Sequence, residues 1–190
     1  MRPRFRITVC GLHELAGHAG ASVSHVLSIL DPDWPAPTAF GLYGEHARLE
    51  LRFHDIIDET SGMLPPTREH VRQLLAFGRG LPAEADAHLL VHCHAGVSRS
   101  SASMALLLAQ AMPECPGPDL FREILRIRPE IWPNLRIIEL GDHALGRDGA
   151  LITSVHDVYR LQISRRPELA EQFKIGGRAR EVDAAIGVRA

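Results

Sequence analysis

The segment from Ala87 to Met112 constrains the fold of this chain more than any other. It opens with a short apolar run, Ala87-His-Leu-Leu-Val-His92, which is typical of a strand buried inside a sheet. A strongly apolar stretch of helical length begins at Ser100 and ends before Pro113, which cannot continue a helix. A buried strand that leads into a buried helix needs packing partners on both sides. The segment therefore predicts a layered α/β core.

Other patterned segments extend this core. Alternating or β-branched apolar residues predict further strands at residues 5–9, 24–30 and 48–53. Apolar residues at helical spacing predict a helix from a cap at Thr67 to Gly78, another from a cap at Asp119 to Ile127, and a third over residues 134–145. Because strands alternate with helices, we expect an α/β fold with a central, mostly parallel sheet flanked by helices.

Two regions have weaker patterns. Residues 11–20 are rich in Gly and His and predict a loop. Ser154 with Asp157 resembles a capping box and predicts a helix to about Ser164, whereas the residues around Gly176 suggest a loosely held tail. We therefore expect one α/β domain over residues 1–150, with a helical extension or tail over residues 151–190 packed on the same domain.

Net charge, cysteine content and the length of the apolar runs indicate which partners and which compartment to expect. The formal net charge of −2 lacks the basic excess of a general nucleic-acid binder, so we expect no nucleic-acid partner. The three cysteines are an odd, sparse set, which is typical of a reducing compartment. No signal peptide is evident, and the longest apolar run, near residues 102–112, is far shorter than the roughly 20 residues of a membrane span. These features predict a cytoplasmic, soluble monomer without a membrane partner.

The loop between the predicted strand and helix carries the chemistry. Cys93 opens it and Arg99 closes it, with five residues between them. Backbone N–H groups at a helix N-terminus favour an anion, and a guanidinium can grip two phosphate oxygens. The same field favours a thiolate at Cys93, which is a nucleophile. Gly96 lets the backbone turn without a side chain in the way. The groups expected to bind phosphate belong to His94, Ala95, Gly96, Val97, Ser98 and Arg99.

Residues beside the loop have supporting roles in this prediction. The Ser100 hydroxyl could donate to the Cys93 sulfur and ease its departure as a thiolate. His92 is expected to hydrogen-bond the backbone and fix the shape of the loop. Although His92 and His94 suggest a metal site, alternating residues of a strand point to opposite faces. We therefore expect no metal.

The stretch His92-Cys93-His94-Ala95-Gly96-Val97-Ser98-Arg99-Ser100 resembles the signature loop of cysteine-dependent protein tyrosine phosphatases. It is most similar to the dual-specificity branch and to bacterial enzymes of that type. Ser24-His-Val-Leu, and Arg128-Pro129 with Pro133-Asn134, resemble other segments of the family, so the resemblance covers about residues 5–145. It implies the three-layer phosphatase fold, hydrolysis of phosphomonoesters through a phosphocysteine intermediate, a phosphorylated protein or peptide as substrate, and no cofactor.

The family also uses an aspartate upstream of the cysteine, which protonates the leaving oxygen and later takes a proton from water. The matching position is Asp55, just after a predicted strand, with Asp58 as the second candidate. Either carboxylate could serve if its loop reaches the phosphate. Asn134 resembles a family residue that supports the signature loop, and it could equally cap a helix. Trp34 and Tyr43 are candidate walls of the pocket, although no spacing selects them.

Other functions stay open at this point. A phosphoinositide or another non-protein ester could be the substrate, but family members of that kind tend to carry lysines inside the loop, and this loop has none. A phosphate-binding module without turnover would not need both Cys93 and Arg99. A sulfur transferase is disfavoured by the Arg99-Ser100 pair at the start of an apolar helix. Cys10 is a candidate disulfide partner for an oxidised Cys93.

Overall fold

Four short strands pair in parallel at the centre of the molecule. The computed structural model describes residue 3 and residues 5–81 and 87–187. The strands are β1 (Arg6–Cys10), β2 (His25–Leu30), β3 (Ala47–Arg52) and β4 (His88–His92). Their order in the sheet is β1-β4-β2-β3, so β4 lies inside it, and Val91 pairs with Val9 on one side and Leu27 on the other. The predicted parallel sheet, with the Ala87–His92 run as an inner strand, is confirmed.

Helices cover both faces of this sheet. The α-helices are α1 (Arg68–Arg79), α2 (Arg99–Ala111), α3 (Gly117–Ile127), α4 (Leu135–Ala144), α5 (Ala150–Arg165), α6 (Glu168–Ile175) and α7 (Ala179–Ile186). They share the larger apolar core with one face of the sheet, which includes Leu27 and Leu89. The other face, with Val26 and Leu90, packs against two 3-10 helices at Leu12–His18 and Thr38–Leu42. The predicted α/β class is confirmed. Within residues 5–81 and 87–187, none of the helices combines the length and apolar character that crossing a bilayer requires.

Helix α2 lies at the centre of the larger core. Every residue from Arg99 to Ala109 is buried. A helix that is apolar on all sides can be stable only when other elements surround it, and α2 packs between the sheet, α1, α3 and α4. Because α2 is fixed on all sides, the loop that leads into it from β4 is fixed as well.

Two predictions about local structure in the first 130 residues are wrong. The segment predicted as a loop contains the 3-10 helix Leu12–His18, whose Leu15 is fully buried. Leu12 and Leu15 are the leucines by which it packs on the core, and two positions are too few to give a helical period in the sequence. Helix α3 begins at Gly117 after Pro116, and Asp119, the predicted cap, lies inside the first turn and pairs with Arg122.

The predicted start of α5 is also wrong, because the cap comes from another helix. Helix α5 begins at Ala150, and Ser154 lies inside it, where its hydroxyl donates to the Ala150 carbonyl at 2.7 Å. The carboxylate of Asp142 in α4 accepts hydrogen bonds from Gly149 N at 2.7 Å and Leu151 N at 2.9 Å. Asp142 therefore accepts hydrogen bonds at the start of α5 that the side chain of a Ser at the cap position would otherwise accept.

Residues 168–186 form two helices instead of a loosely held tail. Glu181, Val182 and Ala185 of α7 are buried, and α7 packs against α5 and α6. The sequence did not predict these helices because their apolar periodicity is weak. Part of the buried contact is made by an ion pair between Arg178 and Glu181. Such a pair has no signature in a hydropathy pattern.

Candidate active site at the carboxyl ends of the strands

The sheet topology gathers the residues that follow its strands. Gly11 follows β1, Asp31 follows β2, Cys93 follows β4, and Asp55 lies three residues beyond β3. Because the strands are parallel, all these positions lie at the same edge of the sheet, where open α/β sheets bind their ligands.

We call the loop over residues 93–98 the phosphate loop. Four of its carbonyl groups accept hydrogen bonds from residues outside the loop. The carbonyls of His94, Ala95, Val97 and Ser98 accept hydrogen bonds from Leu12 N, Arg128 NH2, Trp132 N and Asn134 N, at 2.9, 3.0, 3.0 and 3.3 Å. No acceptor in the described parts of the chain meets the N–H groups of residues 94–98. These N–H groups at the start of α2 are therefore available to an anion.

Gly96 allows this loop to pack on the end of β1. Its φ is +72°, in the left-handed region that favours glycine. A Cβ at this position would lie 2.3 Å from the carbonyl carbon of Cys10 and 2.5 Å from the nitrogen of Gly11. Both the backbone conformation and the close approach to β1 therefore require glycine, as the sequence predicted for the turn.

The Arg99 guanidinium is fixed on one side only. Its NH1 donates to Asp31 Oδ1 at 2.6 Å and to the carbonyl oxygen of Phe53 at 2.6 Å. Its Nε is buried and has no hydrogen-bond partner among the described residues. An unsatisfied buried donor costs about 1–3 kcal/mol, so this N–H favours a bound oxyanion. Asp31 was not predicted as a site residue, and its place in the proline-rich stop after β2 was the only signal.

Cys93 and Ser100 lie side by side at the base of the loop. The Cys93 Sγ is 3.2 Å from the Ser100 Oγ, and both residues are buried. Ser100 can therefore donate its hydroxyl hydrogen to a thiolate on Cys93.

His92 is a neutral structural residue. Burial lowers its pKa to about 4. Its Nδ1 lies 3.4 Å from the carbonyl of Cys93, which can only accept, so Nδ1 carries the hydrogen. Its Nε2 then accepts from the Ser28 hydroxyl at 2.8 Å. The predicted backbone bond is thus long, and the main anchor of the ring is a side chain on β2.

Asp55 touches the phosphate loop, and Asp58 does not. Oδ1 of Asp55 accepts from Ser98 Oγ and Asn134 Nδ2, both at 2.8 Å, and lies 3.5 Å from Arg178 NH1. Oδ2 receives no hydrogen bond from any described residue. The contacts that hold this carboxyl group are therefore made through Oδ1. Asp58 is more exposed and pairs with Arg180 at 2.8 Å.

The Asn134 side chain caps a helix, as one of the two sequence interpretations predicted, and it also reaches the segment that carries Asp55. Its Oδ1 accepts from Ile137 N at 3.1 Å and so caps α4. Its Nδ2 donates to Asp55 Oδ1 and, at 3.2 Å, to the carbonyl of Ile56. One side chain therefore joins the start of α4 to the segment that carries Asp55.

Trp34 stands beside the loop, whereas Tyr43 does not. The Trp34 ring lies 4.5 Å from the ring of His94 and is 46% exposed. Arg52 holds the turn in place by donating to the carbonyls of Pro32 and Trp34. Tyr43 instead donates its hydroxyl to the Leu15 carbonyl at 2.7 Å. Of the two candidate walls, only Trp34 is placed to line a pocket at the phosphate loop.

A buried arginine from the C-terminal helices also reaches the site, and sequence reasoning missed it. Arg178 NH1 donates to Ser98 Oγ at 2.9 Å, and its NH2 donates to Glu181 Oε1 at 2.6 Å. Glu181 is fully buried and accepts from Trp132 Nε1 at 2.5 Å and Leu135 N at 2.9 Å. Burial raises the pKa of Glu181, while Arg178 beside it opposes that shift.

Cys10, at the end of β1, is poorly suited to disulfide exchange. Burial, together with the neighbouring Glu14 carboxylate, raises the pKa of the Cys10 thiol to about 12. The thiolate needed for attack on an oxidised Cys93 is therefore scarce at neutral pH. Within the described ranges, no three His, Cys, Asp or Glu side chains converge on a common point as metal ligands would.

The fold is shared with known phosphatases. No family model and no curated protein matches the chain. The solved structure of human DUSP28 is 17% identical with a TM-score of 0.57 and covers 78% of this chain and 96% of its own. The human tyrosine phosphatase-like serine/threonine/tyrosine-interacting protein is 16% identical with a TM-score of 0.54, covering 77% and 94%. PTPMT1 in complex with PI(5)P is 16% identical with a TM-score of 0.52, covering 75% and 91%. At these identities the comparison confirms the fold that the signature loop implied.

Proposed function

We propose that the protein is a cysteine-dependent phosphatase that hydrolyses phosphomonoesters on proteins through a phosphocysteine intermediate. The observation that carries this proposal is the arrangement of Cys93 and Arg99. They lie at the two ends of a loop whose carbonyls are bonded outward and whose N–H groups have no acceptor among the described residues. A tetrahedral dianion matches this set of donors.

The first half of the reaction transfers the phosphoryl group to sulfur. The phosphate binds to the N–H groups of the loop and to Arg99, which holds the charge of its oxygens. The Cys93 thiolate attacks phosphorus, so a sulfur–phosphorus bond forms while the bond to the leaving oxygen breaks. Asp55 gives its Oδ2 proton to that oxygen, which leaves as an alcohol or phenol.

The second half releases phosphate. Asp55, now ionised, takes a proton from a water molecule whose oxygen attacks phosphorus. The sulfur–phosphorus bond breaks, and the Ser100 hydroxyl stabilises the departing thiolate by donating to it at the 3.2 Å separation seen here. The enzyme returns to its starting state with Asp55 protonated and Cys93 ionised.

A phosphotyrosine side chain is the substrate that the surroundings of the loop support best. The exposed ring of Trp34 beside His94 offers an apolar face to an aromatic ring. A phosphoinositide is the second candidate, since the similar PTPMT1 structure contains PI(5)P. The loop over residues 93–98 has no lysine to meet further phosphates. We rank the lipid lower for that reason.

We further propose that the enzyme works in the cytoplasm as a monomer. All three cysteines are free, and the nucleophile of this mechanism must stay reduced. Residues 1–150 would form the catalytic domain, with residues 151–190 packed on it as an extension. Sedimentation equilibrium of the pure protein tests the monomer, and a dimer would overturn it.

The decisive experiment compares wild type with Cys93→Ser on p-nitrophenyl phosphate and a panel of phosphopeptides. We expect wild type to release phosphate, with phosphotyrosine peptides preferred, and Cys93→Ser to lose turnover while it still binds them in calorimetry. Cys115→Ser, which alters another buried free cysteine, is the matched control and should stay active. Turnover by Cys93→Ser, or binding without phosphate release by wild type, would overturn the proposal.

A further inference from the structure

We propose that the start of α7 is a clamp that positions the acid loop, by which we mean residues 54–66 between β3 and α1. Arg178 and Arg180 are its positioning residues. This inference rests on the proposed function, because it assigns the C-terminal helices a part in the protonation of the leaving group. It would make residues 168–186 a component of the active site, although they follow the phosphate loop by some distance in the chain.

Arg178 joins the two parts of the site that must meet during catalysis. Its NH1 is 2.9 Å from the Ser98 hydroxyl in the phosphate loop and 3.5 Å from Asp55 Oδ1 in the acid loop. Ser98 itself donates to the same oxygen of Asp55 at 2.8 Å. One guanidinium therefore fixes the separation between the carboxyl group and the loop that binds phosphate. It contacts Oδ1 and leaves Oδ2 free for proton transfer.

The guanidinium of Arg178 has two contacts on the side away from the phosphate loop, although its buried Nε has no partner among the described residues. Its NH2 donates to Glu181 at 2.6 Å. The guanidinium carbon, Cζ, lies 5.3 Å from the centre of the Phe173 ring in α6. Glu181 accepts hydrogen bonds in turn from Trp132 Nε1, between α3 and α4, and from Leu135 N at the start of α4. Buried charges that are hydrogen-bonded on several sides do not change position easily. The clamp is therefore built on the core rather than on a mobile side chain.

Arg180 provides the second contact with the acid loop. Its NH1 donates to Asp58 Oδ1 at 2.8 Å, and its NH2 pairs with Glu139 in α4. Asp58 lies three residues after Asp55, so α7 contacts the acid loop at two separate points. The Arg180 pairs are partly exposed, and exposed pairs contribute little each. We therefore assign the larger part of the positioning to Arg178.

A purely structural role for Arg178 predicts a different kinetic result from positioning. General-acid help matters for a leaving oxygen that is strongly basic, and hardly at all for one that departs readily as an anion. A misplaced Asp55 should therefore slow the hydrolysis of phenyl phosphate much more than that of an aryl phosphate with an electron-poor leaving group. A general loss of folded protein would lower both rates by the same factor.

The experiment measures kcat/KM for these two substrates with Arg178→Gln, Arg178→Lys, Arg180→Gln and the control Arg166→Gln. Arg166 is an exposed arginine of the same extension that pairs with Glu168. We expect Arg178→Gln to lose roughly tenfold or more on phenyl phosphate and no more than about threefold on the activated ester. Arg178→Lys should recover part of the loss, Arg180→Gln should show a smaller loss of the same selectivity, and Arg166→Gln should match wild type.

A double-mutant cycle with Asp55→Asn identifies the route of the effect. If Arg178 acts through Asp55, Arg178→Gln should cause no further loss on phenyl phosphate once Asp55 is replaced by Asn, which has no proton to give. Equal losses on both substrates, or additive losses with Asp55→Asn, would overturn the inference. Should Arg178→Gln fail to fold, Arg180→Gln decides: a selective loss supports the clamp and an unchanged ratio of rates overturns it. Failure of the proposed function is distinct, because Cys93→Ser would then keep its turnover.

Discussion

Arg99 NH1 and Asp31 Oδ1 are 2.6 Å apart, and this ion pair joins the start of α2 to the residue that follows β2. The same nitrogen also donates to the carbonyl of Phe53 at the end of β3. The residues that follow two neighbouring strands thus hold one guanidinium, and its Nε has no partner among the described residues. The orientation of Arg99 is therefore set by residues outside the loop that it closes.

We expect Asp31→Asn to weaken phosphate binding, because the amide cannot pair as strongly with Arg99. The expected loss in kcat/KM on p-nitrophenyl phosphate is roughly tenfold, with a similar loss of affinity for inorganic phosphate as a competitive inhibitor. Asp33→Asn, in the same turn and exposed, is the control. Unchanged phosphate inhibition in Asp31→Asn would contradict the assigned role of the pair.

We expect Gly96→Ala to abolish activity and destabilise the protein. The new Cβ would have to occupy a positive φ and would lie 2.3 Å from the Cys10 carbonyl carbon. Gly146→Ala is the matched control, since Gly146 also has a positive φ, +61°, but nothing lies within 4 Å of its Cβ position. Strain alone should cost the control about 1–2 kcal/mol in urea unfolding and leave turnover intact. Equal effects at both positions would show that the contact with β1 is unimportant.

We expect Ser100→Ala to slow the breakdown of the phosphocysteine more than its formation. The hydroxyl lies 3.2 Å from Cys93 Sγ, where it can stabilise the departing thiolate. Rapid-quench experiments should show a burst of released phenol, followed by a steady rate that is lower by about tenfold or more. Ser103→Ala is the control, because that buried hydroxyl has no partner among the described residues. A steady rate that falls without a burst would place Ser100 in the first step instead.

We expect the neutral, buried His92 to make the protein less stable in acid. Its pKa is about 4 in the folded protein against an ordinary 6.5, so between these values the unfolded chain binds a proton that the folded chain does not. The free energy of unfolding therefore falls as the pH drops through this window, by roughly 3 kcal/mol from this group, and the loss is complete below pH 4.

Urea unfolding at a series of pH values from 7 to 4 tests this expectation. His92→Gln should be less stable than wild type at pH 7 but lose about 3 kcal/mol less on acidification. His13→Gln, which changes an exposed histidine, should follow the wild-type curve. Parallel curves for wild type and His92→Gln would contradict the assignment.

The sequence was informative where neighbours in the chain are also neighbours in space. Cys93, Gly96, Arg99 and Ser100 are close along the chain, and they lie between one apolar run that predicted a strand and another that predicted a helix. The fold around them is confirmed, and the catalytic roles of these residues remain predictions. The same holds for Asn134, whose position after a proline indicated a helix cap.

Partners that are distant in the chain could not be predicted in this way. Arg99 meets Asp31 across 68 positions, and Arg178 meets Ser98 across 80. Neither Asp31 nor Arg178 belongs to a periodic pattern, since the contacts of each are made mainly by its own charged side chain. The start of α5 was missed for a different reason, because its cap, Asp142, is near in the chain but lies in the preceding helix instead of at the start of α5 itself.

The position of Arg178 has a consequence for how this protein is made. During translation the four strands and α2 leave the ribosome well before α7, because Arg178 follows Ser98 by 80 positions. A nascent chain at that stage has the phosphate loop but lacks the guanidinium that connects it to Asp55. The proposed positioning of Asp55 would then be possible only after α7 has been made, and a proteolytic cut between α5 and α7 could weaken it without severing any strand.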